Sequence, residues 1–297
     1  MELRHLYNFL AVAEELHLTR AAERLHIEPA PLSRAIKELE SHLAVQLFER
    51  TTRCMRLTWA GEVLLEEAHR IFATIDQAKT SVRAATAGSH GCLRIALSDG
   101  IAHPRLSTLL ERCREDEPEE EIRLSEIPLS QQIKGLHSDL YDVGFSQSND
   151  VGEGLIAEAI WDEPLVIVVP ARHPLLEKRR LSLAEALRYP LVLYHPEISE
   201  GFWQQIKRVL SMADAEPIVA DHVSTLDLML TLVAAGYGLG FGGESQIVAC
   251  RNPDVITLPL AGRSPVLTTY LLRLDTEPSD QLGRFINRAS TVGSCLY

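Results

Sequence analysis

No run of apolar residues in this sequence approaches the ~20 needed to cross a bilayer, so a membrane-spanning helix is not expected. The opening stretch MELRHLYNFLAVAEEL mixes acidic residues into an amphipathic period, unlike a secretory signal, and the expected location is the cytoplasm. Cysteine is sparse and scattered: Cys54, Cys92, Cys113, Cys250 and Cys295 form no C-x-x-C pair, and no His stands at zinc-finger spacing from them. Reduced structural thiols are the reading, with no metal and no cofactor. There is no H-E-x-x-H, no nucleophile elbow around Ser245 and no isolated carboxylate pair; the acidic run Glu115–Glu121, broken by Pro118, reads as a solvated helix end. Internal repeats and low-complexity tracts are missing too. An enzyme built on this chain should show a nucleophile, a metal set or a cofactor loop, and none appears.

Basic residues are also in deficit, with 29 Lys and Arg against 41 Asp and Glu, a net charge of −12. The deficit is uneven. Residues 1–90 hold 11 basic and 12 acidic residues, and within 29–56 five basic side chains (Arg34, Lys37, Arg50, Arg53, Arg56) outnumber three acidic ones. A local basic patch can grip nucleic acid while an acidic body stays clear of phosphate. With 46% hydrophobic and 24% charged residues over 297 positions, the chain can build a small domain and a larger one.

What is present begins with an apolar stripe at Leu3, Leu6, Leu10 and Ala13, with Phe9 beside it, the mark of an amphipathic helix. Thr19 is the expected N-cap of a second helix, Arg20 to Leu25. After the turn HIEPAP, a third helix runs to about Leu43 with Leu32, Ile36, Leu39 and Leu43 inward and Ala30, Ser33, Arg34, Lys37 and Ser41 outward. Three short helices with a tight second turn make a helix-turn-helix. Residues 47–58, LFERTTRCMRLT, read as a hairpin or wing with a Thr- and Arg-rich tip. Thr58 then caps a helix reaching roughly Ala87. Gly61, Leu64, Ala68, Ile71, Ile75, Ala78, Val82 and Ala85 alternate steps of three and four along it. A dimerising seam over residues 61–85 fits that spacing and length.

From Leu93 onward short strands (LRIALS, EIRLSEI, VGFS, PLVIVVP, PLVLY, PIVADHV, LGFGG, VITLPL, VLTTYLLR) alternate with helices (PRLSTLLERCRED, SQQIKGLHSDL, SLAEAL, GFWQQIKRVLSMA, TLDLMLTLVAAG). Such alternation argues for parallel sheets wrapped by helices. Gly238 to Gly243 spells G-x-G-x-x-G, but it follows a helix and holds strand-like Leu239 and Phe241, the reverse of a dinucleotide-binding context. It reads as a helix end near Gly236 followed by a close-packed strand.

The stretches MELRHLYNFLAVAEELHLTRAAERLHI and PLSRAIKELESHLAVQLFERTTRCMRLTWAGE resemble the LysR-type transcriptional regulators, and IKGLHSDLYDVGF and LMLTLVAAGYGLGF do so more weakly. The resemblance implies an N-terminal all-α winged helix-turn-helix (1–58), a long linker helix (59–88) and an α/β effector domain (89–297). That effector domain would comprise two Rossmann-like lobes, arranged as in a periplasmic solute-binding protein. Lobe I would take about 91–162 and 266–297 and lobe II about 163–265, joined by crossover strands near Leu165–Val169 and Val266–Leu272. It also implies a homodimer or homotetramer on double-stranded operator DNA, contact with RNA polymerase, and a small organic effector between the lobes. One departure stands out: where the family commonly reads S-Q-P-P-L-S-R, this chain has Glu28-Pro29-Ala30-Pro31-Leu32-Ser33-Arg34. Pro29 cannot read a base edge through its side chain, which alters the expected operator preference.

The DNA-facing candidates are Ser33, Arg34 and Lys37 on the third helix and Arg50, Thr51 and Arg53 on the wing. Arg34 has the fork that bonds guanine O6 and N7, while wing groups would hold phosphate. In the effector half the first strand ends in Ser98-Asp99-Gly100, where a hydroxyl and free N–H groups ahead of a helix could receive a carboxylate. Asp99 argues the other way, for a ligand bearing hydroxyl or amine. The resemblance adds Leu129-Ser130, Phe202 with Trp203, and Thr225. His195 beside Tyr194 is a candidate proton-dependent contact. A purely architectural DNA-binding protein would have no need of some two hundred residues of α/β domain.

Overall fold

The computed structural model describes residues 2–50, 55–87, 92–101, 104–213, 215–262 and 265–294; the side chain of Arg50 and several on the long helix fall outside the description. The chain divides into two compact units, Met1–Arg83 and Ala84–Tyr297.

In the first unit, α1 (Leu3–Glu15), α2 (Leu18–Leu25) and α3 (Pro29–Leu43) precede a hairpin of β1 (Phe48–Arg50) and β2 (Met55–Leu57), and then α4 (Trp59–Ala87). Leu6, Phe9 and Val12 of α1 meet Ala21 and Ala22 of α2 and Leu32, Ile36 and Leu39 of α3 in one core. Each fully buried Leu or Ile contributes about 1.5–3 kcal/mol to that core. The second helix starts earlier than the Thr19 cap implies. His17 is its N-cap, and the imidazole Nδ1 accepts from the Arg20 N–H at 3.4 Å, which leaves Thr19 inside the first turn. Pro29 opens α3, where its missing N–H costs nothing. The Glu40 carboxylate accepts from the Leu47 and Phe48 N–H groups at 2.9 and 3.3 Å, tying α3 to the root of the hairpin.

Thr58 caps α4 as its sequence context requires, accepting from the Gly61 N–H at 3.0 Å and donating to the Gln46 carbonyl at 2.7 Å. The stripe on α4 is not one uniform seam. Ala68 is buried in the core of the first unit, and Leu64 and Ile71 pack against it with Leu65 and Phe72. The first half of the stripe therefore closes its own domain, because a small winged fold needs the start of the long helix to cover its core. Further along, Ile75 is half-buried and Ala78 exposed; the side chains of Val82 and Ala85 fall outside the description.

The second unit runs β3 (Cys92–Leu97), α5 (Pro104–Asp116), β4 (Glu121–Glu126), α6 (Leu129–His137), β5 (Val143–Ser146) and β6 (Leu155–Pro170). It continues with α7 (Leu183–Ala186), β7 (Leu191–Tyr194), α8 (Glu200–Leu210), β8 (Val219–Val223), α9 (Leu226–Ala234), β9 (Gly240–Gly243), α10 (Glu244–Ala249), β10 (Val255–Pro259), β11 (Val266–Leu274) and α11 (Asp280–Ser294). β4, β3 and β5 pair in parallel, and β11 then joins β5 antiparallel. β6 is long enough to serve two sheets. It pairs antiparallel with β11 from Leu155 to Pro164, then with β10 and β9 from Leu165 to Pro170. A parallel bridge between Leu191 and Leu239 ties in β7, which carries β8 beside it.

Two lobes result, with separate cores. One core draws on residues between Leu165 and Leu267; the other clusters draw on Leu93–Trp161 and Leu271–Val292. The expected crossover segments lie in β6 and β11, but the two strands pair only where Leu155–Pro164 meets Val266–Leu274; Leu165–Val169 belongs to the sheet with β9 and β10. The sheets are mixed, not purely parallel, because the chain passes between lobes on two antiparallel strands. The strand pattern passes over the first half of β6, Leu155–Glu163, whose Ala and Glu residues are weak strand formers. It also passes over α10 and α11; α11 buries Phe285, Ala289 and Val292 against lobe I despite its Gly, Ser and Thr content. Its Arg284 and Arg288 pair with Asp116, Glu117 and Glu120 at the end of α5.

Candidate DNA-binding face and inter-lobe cleft

Burying Leu32, Ile36 and Leu39 forces the opposite stripe of α3, Ala30, Arg34, Lys37 and Ser41, outward to solvent, in steps of four, three and four. Arg34 and Lys37 are exposed and Ser33 is half-buried at the edge of that stripe. Arg56 of β2, from the same basic patch, is also exposed. Thr51 and Arg53 lie outside the described residues, as does the Arg50 side chain. The face thus offers a guanidinium and an ammonium one helical turn apart. That pairing suits one bidentate base contact and one phosphate contact.

In the second unit, β3 ends at Leu97; Ser98, 1% exposed, follows it, and the chain turns through Asp99 and Gly100 with φ of +60° and +65°. The left-handed turn at Asp99 swings its carboxylate across the cleft. Oδ2 accepts from the Ser98 hydroxyl at 3.0 Å, the Ser146 hydroxyl at 2.9 Å and the Gln147 N–H at 3.0 Å. Oδ1 accepts from the Gly201 N–H at 2.8 Å, in the first turn of α8 in lobe II. The Gly100 carbonyl accepts from Gln246 Nε2 at 3.0 Å, a second bond between lobes. Gln205 of α8 donates through Nε2 to the Gln147 and Thr268 carbonyls at 2.5 and 2.7 Å and accepts from the Thr268 N–H at 2.9 Å.

The other candidates are dispersed. Leu129 and Ser130 open α6, Leu129 buried and Ser130 exposed. Phe202 is 5% exposed and stacks edge-on against Tyr194 within the lobe II core. Burial pushes the Tyr194 phenol above its ordinary value, so it stays protonated. Thr225 spends its hydroxyl as the N-cap of α9, accepting from the Leu228 N–H at 3.3 Å. His195 accepts from the Glu197 N–H at 3.3 Å, and His222 lies between its ring and that of Trp203 at 6.1 and 6.0 Å. Residues the sequence reading passes over are Ser146, Gln147, Gly201, Gln205 and Gln246. A glycine in the first turn of a helix, where it weakens the helix, was the available signal for Gly201. The glycines of 240–243 serve close packing: an added Cβ would strike Met229 at Gly240, Ile247 at Gly242 and the Glu163 carboxyl at Gly243. Among the described residues no cluster of three metal-ligating side chains occurs, and no helix is long and apolar enough to cross a membrane.

Two family models match. Residues 3–62 match the bacterial regulatory helix-turn-helix protein, lysR family, and residues 86–292 match the LysR substrate binding domain. The chain belongs to the LysR family of transcriptional regulators. It is 33% identical over 240 residues to the HTH-type transcriptional regulator YnfL of Escherichia coli K12, covering 80% of this chain and 81% of that one. It is 31% identical over 287 residues to ClcR of Pseudomonas putida, covering 97% of each. Among solved structures it is similar to CbnR, a LysR family transcriptional regulator. There the TM-score is 0.83 at 26% identity, over 99% of this chain and 100% of that one. Full-length CbnR complexed with its target DNA gives a TM-score of 0.80 at 27% identity, over 98% and 100%. This LysR-family chain therefore pairs a DNA-binding helix-turn-helix with an effector-type α/β domain, and acts in transcription regulation.

Proposed function

We propose that this regulator reads an inverted pair of DNA half-sites with α3 in the major groove, and that a small organic molecule seated between its lobes sets its transcriptional output. The observation that carries the DNA half is the outward stripe of α3, where Arg34 and Lys37 stand clear of a core that fixes the helix. Ser33, Arg50, Thr51 and Arg53 complete the contact set, with the wing residues on phosphate. Two copies pair through the 61–85 stripe of α4 beyond Phe72, beginning at Ile75 and Ala78, and pairs of dimers form the tetramer. The regulator works in the cytoplasm, contacts RNA polymerase and carries out no catalysis.

The effector half rests on polar groups converging from both lobes at Ser98, Asp99, Gly100, Gly201 and Gln246, with Leu129, Ser130, Phe202 and Thr225 as further candidates. Closure of the lobes around a ligand is the movement that would alter the geometry of the assembly on DNA. A ligand drives it only through its differential affinity for the two shapes. Arg34→Ala should weaken specific binding by ~1–3 kcal/mol and relax preference at one operator position. Ser98→Ala with Ser130→Ala should abolish the reporter response to the cognate effector while leaving operator affinity intact. A full response from that double variant would refute the placement of the effector, and unchanged specificity in Arg34→Ala would refute the docking of α3.

A further inference from the structure

We infer that Asp99 is the cleft's own resident acid: it fills the seat an anionic ligand would take, and so selects an effector that meets it with a hydroxyl or amine donor. The seat is built, not incidental. Two of its hydroxyls, on Ser98 and Ser146, are 1% and 0% exposed, and Gln147, which supplies a backbone N–H, is 6% exposed. With Gly201 they place four donors at 2.8–3.0 Å around one carboxylate. A carboxylate is an acceptor-only group, and three donors on Oδ2 saturate that oxygen. Oδ1 takes only the Gly201 N–H among these, so it retains acceptor capacity for a further donor.

Backbone shape supports the assignment. Asp99 holds a φ of +60°, uncommon outside glycine, where Asp and Asn are the side chains best tolerated. Gly201 is just as constrained: a Cβ there would stand 2.5 Å from Asp99 Oδ2 and 2.5 Å from the Ser148 nitrogen. The left-handed turn and the missing Cβ together let a lobe I carboxylate reach the first turn of a lobe II helix. A second carboxylate brought to the same donors would find them taken and would face a like charge across a partly desolvated gap. The biological meaning of this selectivity rests on the cleft being the effector site, as proposed above; the chemistry of the seat does not.

The test uses the full chain and sodium acetate as the probe, against sodium chloride at equal ionic strength, read by thermal melting and calorimetry. Asp99→Ala should melt roughly 5 °C lower, since buried donors lose their acceptor. Acetate should restore much of that loss in Asp99→Ala and bind it saturably, while wild type shows no acetate-specific shift. Asp99→Ser, which keeps a polar side chain and leaves room in the seat, is measured alongside in case Asp99→Ala does not fold, with the same rescue expected. A folded variant that acetate fails to rescue, or an equal acetate shift in wild type, would overturn the inference. Neither DNA nor effector enters this readout, so its failure is distinct from a retained effector response in the Ser98 and Ser130 variants.

Discussion

Gly201→Ala is the sharpest single perturbation of the inter-lobe contact, because helix propensity and packing pull it in opposite directions. Alanine in place of glycine ordinarily strengthens a helix, by roughly 0.5 kcal/mol in a first turn. At position 201 the new methyl would lie 2.5 Å from Asp99 Oδ2, 2.5 Å from the Ser148 nitrogen and 2.7 Å from the Gln147 carbonyl carbon, whereas ordinary contact begins at 3.4 Å. About 0.9 Å must be found, and two of the three neighbours are backbone that no rotamer change can clear. Gln205 holds that same backbone through its bond to the Gln147 carbonyl. Overpacking of this kind costs ~1–3 kcal/mol, leaving a net loss of roughly 0.5–2.5 kcal/mol after the helix gain. For a unit of this size that is a fall of roughly 1–10 °C in melting temperature. Gly283 in α11 is the matched control, since a Cβ there meets nothing within 4 Å. Gly283→Ala should raise melting by roughly 1–4 °C. Scanning calorimetry of the full chain reads both changes. A Gly201→Ala protein that melts at or above wild type would refute the close approach of α8 to the Asp99 turn.

The two halves of the α4 stripe should separate by mutation. Ile71→Asp should destabilise the first unit, whose core Ile71 covers. Ile75→Asp with Ala78→Asp should leave that unit folded and lower the sedimenting mass; an unchanged mass would place the dimer contact elsewhere. Acid should loosen lobe I at the α5–α11 clamp. Hydrogen bonds from Arg288, then from Arg284, hold the Glu117 carboxyl below its ordinary value of 4.5. Its contribution is therefore present above pH 4.5 and lost as pH falls through the lower folded value. Glu117→Gln should flatten the fall of melting temperature below pH 4.5, and an unaltered acid limb would show that the clamp contributes nothing there.

How much of this was legible follows from how local each feature is. The α3 stripe, the Thr58 cap and the helix end at Gly236 depend on neighbours within a few residues, and periodicity with capping rules places them. His17 displaced Thr19 as a cap because an imidazole nitrogen accepts as well as a hydroxyl and Leu18 begins the helix two residues earlier. The crossover strands were visible where β6 is a continuous apolar run, and invisible over Leu155–Glu163, where only pairing with β11 holds the strand. The seam on α4 read as one surface because spacing alone cannot tell a partner chain from the helix's own domain. Asp99 was visible as an acid at a strand end. Its bond to Gly201, 102 positions away, is a product of the two-lobe topology and has no sequence period to announce it.

Selection of bound duplexes from a fully randomised pool tests the central claim most directly, run with the full-length protein and in parallel with Arg34→Ala. The account predicts that wild type enriches an interrupted inverted repeat, its half-sites on one face of the duplex. It also predicts that Arg34→Ala enriches the same repeat with one position per half-site relaxed. A wild-type pool with no enriched sequence, or an Arg34→Ala pool identical to it, would contradict the account.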